Sequence, residues 1–81
     1  MHIDKKPLPL DKYDFYNIDQ HYHAYIVTLI NITQEQVDQF EQDLILNGEK
    51  LFHSEMIRTN GDIFNAKMVI GISKSYSNLK N

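Results

Sequence analysis

The sequence predicts an α+β domain, with one amphipathic helix packed on a small antiparallel sheet of three or four strands in the order (β)βαββ. Three observations lead there. Residues 21–32 (HYHAYIVTLINI) concentrate Ile, Val, Thr and Tyr without Gly, Pro, Asp, Glu, Lys or Arg, which is a strand composition. A segment with helix-start chemistry and helical spacing follows, and after it two strand-like runs flank Asn60-Gly61.

The chain has 81 residues, a formal charge of −3, no Cys and no Trp. That length supports one core, and a chain of this size buries only ~60% of the surface its unfolded form exposes. Without Cys there are no disulfides and no thiolate metal sites. No run of ~18 apolar residues marks a membrane span, and no charged-then-apolar leader marks export, so the expected compartment is the cytoplasm. The expected organisation is an extended Pro-containing arm at 1–12, a single α+β domain at 13–73 and a polar tail at 74–81.

Pro7 and Pro9 alternate with Leu8 and Leu10, which forbids helix and favours an extended arm able to wrap the domain or reach a partner. Residues 13–18 (YDFYNI) are aromatic and β-friendly, and predict a short first strand before turn chemistry at 17–20. In 21–32 both parities are apolar towards the end: Ala24, Ile26 and Ile30 on one side, Tyr25, Val27 and Leu29 on the other. Such a strand is central in a sheet, or its second face is covered by another layer or a partner subunit.

Thr33 is a preferred N-cap with Gln36 at the capping-box position, Ile32 placed to staple onto Val37, and Glu35 in the first turn, where the helix dipole favours an acid. Val37, Phe40 and Leu44 form a narrow apolar stripe, and Asn47-Gly48 supplies a left-handed stop, so the helix spans about 34–47. Residues 50–58 and 62–73 then read as a hairpin. A two-residue turn at Asn60-Gly61 pairs Ile57 with Phe64. A three-residue turn pairs Arg58 with Asp62 and collects Phe52, Met56, Phe64, Ala66, Met68 and Ile70 on one face. The second is preferred because it buries one clean apolar face. Gly71 marks a bulge or a close backbone approach.

Charge is unevenly placed. Glu35, Asp38, Glu41, Asp43 and Glu49 fall within 32–49 with no Lys or Arg among them, whereas 50–81 carries Lys50, Arg58, Lys67, Lys74 and Lys80 against Glu55 and Asp62. Nucleic-acid binding needs clustered Lys and Arg, and Arg58 is the single arginine, so a nucleic-acid role is disfavoured.

His21 and His23 share one strand face, as do His53 and Glu55, and adjacent strands would let them converge on a metal; this is the rival reading, a small metal-dependent enzyme or metal-binding protein. H-x-H alone is a weak signal, and no metal or cofactor is expected. Ser54 beside His53 points to the opposite face, Ser77-x-x-Lys80 lies in the polar tail, and Asn31-Ile32-Thr33 is a formal glycosylation sequon whose Thr33 is better used as a cap. Five of the nine aromatic residues, Tyr13, Phe15, Tyr16, Tyr22 and Tyr25, sit in one window, and Tyr is enriched at protein interfaces. No catalytic set emerges. The preferred expectation is a non-enzymatic protein-interaction module, regulatory or inhibitory, acting through an acidic helix face (Glu35, Asp38, Asp43), a Tyr-rich segment (Tyr13, Tyr16) or a sheet edge, and self-associating as a homodimer.

Overall fold

A computed structural model describes residues 2–74. Four antiparallel strands, β1 (His2–Pro7), β2 (Tyr22–Ile32), β3 (Glu49–Asn60) and β4 (Ile63–Ser73), form one sheet in the order β1-β2-β4-β3, and helix α1 (Gln34–Leu46) packs on it. The fold is α+β, as predicted. Half of the expected arm is β1, paired with β2 from His2↔Ile30 to Pro7↔Tyr25. Of the expected tail only Lys74 is among the described residues, and Ser77 and Lys80 lie outside them.

The helix begins as its sequence dictates. Thr33 accepts from the Gln36 backbone N–H at 3.2 Å while the Gln36 side chain accepts from the Thr33 N–H at 2.9 Å, a reciprocal capping box. At the other end Asn47 donates back to Asp43, and Gly48 takes φ +78°, the left-handed conformation that ends a helix. Val37 and Leu44 are buried and Phe40 packs beside them, over Val27, Leu29, Ile32, Ala66, Met68 and Ile70.

The aromatic run at 13–18 is not a strand. It belongs to two 3-10 turns, Leu10–Lys12 and Asp14–Tyr16, closed by bonds such as Tyr13 N–H to Leu10 O and Tyr16 N–H to Tyr13 O, both 3.2 Å. Strand propensity lost to tertiary packing. Tyr13 and Ile18, five residues apart, are both buried against the second face of the sheet with Leu8, Ala24 and Val69, which alternation along a strand would not allow. Asn17 at φ +57° reverses the chain to bring Ile18 down. Residues 8–18 thus form a cap opposite α1, and β2 owes its two apolar faces to it: Tyr25, Val27 and Leu29 lie under the helix, Ala24 and Ile26 under the cap.

The hairpin register also differs from both expectations. Its loop is Gly61-Asp62, flanked by Asn60↔Ile63, and the ladder runs Arg58↔Phe64, Met56↔Ala66, Ser54↔Met68. Gly61 has φ +55° while Asp62 is not left-handed, the pattern of a two-residue loop with glycine first. A bulge between Arg58 and Asn60 absorbs the offset, so Met56, Phe64, Ala66, Met68 and Ile70 still share the helix face. A second bulge, between Leu51 and His53, turns Phe52 to the cap face. There its ring meets Tyr22 edge-on at 5.1 Å and closes over Gly71, where an added Cβ would stand 2.8 Å from Phe52 Cε2.

Candidate protein-interaction surfaces

The expected site residues do not converge, because they lie on opposite sides of the sheet. Glu35, Asp38 and Asp43 are all exposed on α1. Asp38 accepts from Gln34 at 2.9 Å and Asp43 from Gln39 at 3.0 Å, one-turn contacts that hold the carboxylates in place without neutralising them. Glu41 is half-buried and accepts from Ser54 Oγ of β3 at 3.4 Å. Ile45 and Leu46 end the helix exposed, Leu46 at 81%.

On the other face, Tyr13 is a core residue. Its hydroxyl donates to Tyr22 O at 3.2 Å and accepts from the buried Ala24 N–H at 3.0 Å, so one phenol ties the cap to β2. At 6% exposure it offers almost no surface to a partner. Tyr16 is half-buried, tilted against His53 at a ring separation of 5.5 Å, and Phe15 meets it edge-on at 4.9 Å. Phe15 is 77% exposed and Leu10 68%. Phe15 and Tyr16, with Leu8, Pro9, Lys12, Ile26 and Lys67, line a cleft of about 390 Å³ where the cap steps down to the sheet. Phe15 stood in the aromatic window from the start, but only the 3-10 geometry distinguishes it from Tyr13.

The histidines do not gather. His23 pairs with Ile72 on the helix face, whereas His53 faces the cap, and His21 bonds locally through its backbone to Asp19 at 2.8 Å. His53 and Glu55 keep the expected one-face relation at 3.8 Å, but no group of three His, Asp or Glu side chains positioned for a metal forms among the described residues. The metal reading lacks the geometry it required.

The sheet leaves two edges. β1 is short and carries Lys5, Lys6 and Pro7, features that discourage strand addition. β3 is twelve residues long, with β4 on one side and no strand on the other among the described residues. Near its end Arg58 stacks on the Phe64 ring at 5.3 Å and, with Glu35 and Asp62, lines a cleft of about 460 Å³ at the start of α1. Compared with known proteins, the chain matches no family model, no curated protein and no solved structure. No helix among the described residues is long and apolar enough to cross a membrane.

Proposed function

We propose that the chain is a small non-enzymatic protein-interaction module, regulatory or inhibitory, working in the cytoplasm and forming a homodimer. The observation that carries this reading is Phe15, 77% exposed beside an exposed Leu10 on a cap whose position the Tyr13 hydroxyl fixes. A large ring held outward on a braced segment is a preorganised anchor, and anchoring aromatics supply a large share of binding energy at protein interfaces. The acidic face of α1 supports the same reading from the opposite side of the sheet, through electrostatic steering of a basic partner. Affinity capture with wild type, Phe15→Ala and a Glu35, Asp38, Asp43 reversal to Lys tests it. Loss of specific partners in at least one variant is expected. Identical capture by all three, with folding intact, sinks both surfaces as contacts.

A further inference from the structure

The outer edge of β3, which no strand among the described residues covers, is self-complementary. Its two bulges bracket one regular run, His53–Arg58, so strand addition is confined to those six residues. A second copy pairing antiparallel across a two-fold axis must place residues of equal parity opposite one another, because directly opposed side chains point to the same face. Two registers give the longest overlap of the regular run. Centring on Glu55 opposes Glu55 to Glu55, which like charge disfavours. Centring on Met56 opposes Ser54 to Arg58, Glu55 to Ile57 and Met56 to itself.

In that second register the charges match. Ser54 and Arg58 both lie on the helix face, opposite Met68 and Phe64 of β4. Ser54 is hydrogen-bonded to Glu41, and Arg58 has no carboxylate within 4.0 Å among the described residues. Each Arg58 would therefore arrive at the Ser54–Glu41 pair of the other copy, twice per dimer, offsetting the repulsion of two acidic helices brought side by side. On the opposite face, Ile57, 68% exposed, would meet its symmetry mate diagonally across the axis. Gln36, Gln39, Phe40 and Asp43 flank the groove towards Ile3 of β1, so helical geometry turns Ile45 to the β3 side, where it is 66% exposed and would be covered.

We propose that the chain forms a two-fold dimer by antiparallel pairing of β3 with β3 centred on Met56, locked by reciprocal Arg58–Glu41 ion pairs. This rests on the reading of the chain as an interaction module and specifies its self-association. Sedimentation of the full chain over a concentration range should show a monomer–dimer equilibrium. Arg58→Glu or Glu41→Arg alone should weaken it at least ~tenfold, and the double variant, whose charges are swapped but complementary, should restore it to within about threefold. Because the chain has no Cys, single thiols report register. Mixing Glu55→Cys with Ile57→Cys, both on exposed positions, should give an oxidised heterodimer that neither forms efficiently alone. A wild type that stays monomeric into the high micromolar range overturns the proposal. So does a dimer indifferent to both reversals, or crosslinking by Glu55→Cys alone as fast as by the mixture. Partner capture lost in Phe15→Ala would survive any of these results, so the two readings fail separately.

Discussion

Under α1 the sheet is covered by a capped helix with a periodic apolar stripe; under residues 8–18 it is covered by irregular chain held down by Leu8, Tyr13 and Ile18. The first cover depends on many dispersed apolar contacts. The second concentrates much of its positioning in one hydroxyl, which satisfies both a carbonyl and a buried N–H of β2. The two layers should therefore fail differently, by loss of packing on one side and loss of a polar tie on the other.

The largest effect belongs to the helix side. Leu29 is 1% exposed in the centre of that layer, and Leu29→Ala should destabilise the whole domain by about 2–5 kcal/mol in urea unfolding, through a cavity that helix and sheet cannot both close. On the cap side, Tyr13→Phe should cost about 1–3 kcal/mol, because it strands the Ala24 N–H. Hydrogen exchange separates the cases: Tyr13→Phe should speed exchange in 8–18 and at Ala24 well before α1, whereas equal acceleration in both would erase the contrast. Gly71→Ala, forcing Phe52 aside, should cost about 1–3 kcal/mol, and trimming Phe52 to Leu in the same chain should recover part of it. Thr33→Ala removes the side-chain half of the capping box and should cost about 1 kcal/mol, read as a lower melting temperature with reduced helicity at the α1 start. Smallest is Phe15→Ala, expected within about 0.5 kcal/mol of wild type, since most of its ring faces water. A large loss there would make Phe15 a structural residue and remove the basis for treating it as an anchor.

The same contrast explains what the sequence made legible. Thr33, Gln36 and Gly48 act through neighbours a few residues away, so their roles were readable from spacing. The double apolarity of β2 called for a central place, a second layer or a partner subunit; β2 is interior to the sheet and also covered, but nothing local said that residues 8–18 would supply the cover. That answer depends on Tyr13 reaching β2, a contact between residues eleven apart in sequence and set by tertiary packing. The hairpin shows the same limit. Asn60-Gly61 marked the reversal within one residue, yet the register was decided by two bulges that let Phe52 leave the helix face for the space above Gly71. The acidic face was legible as charge; the separation of Glu35, Asp38 and Asp43 from Tyr16 by the thickness of the sheet was not.

The position of β4 has a consequence for how the protein is made. β2 and β3 run parallel and share no ladder; every ladder bond joining them passes through β4, the last of the four strands in sequence. While a ribosome still holds residues 63–73, the nascent chain can form α1 and the β1–β2 pair, but Val27 and Leu29 lack their neighbours Met68 and Ala66. The sheet cannot zip progressively from the N-terminus. The four-stranded sheet is complete only once β4 has joined β3 to β2, so β1 and β2 gain their connection to β3 from the last strand of the sheet.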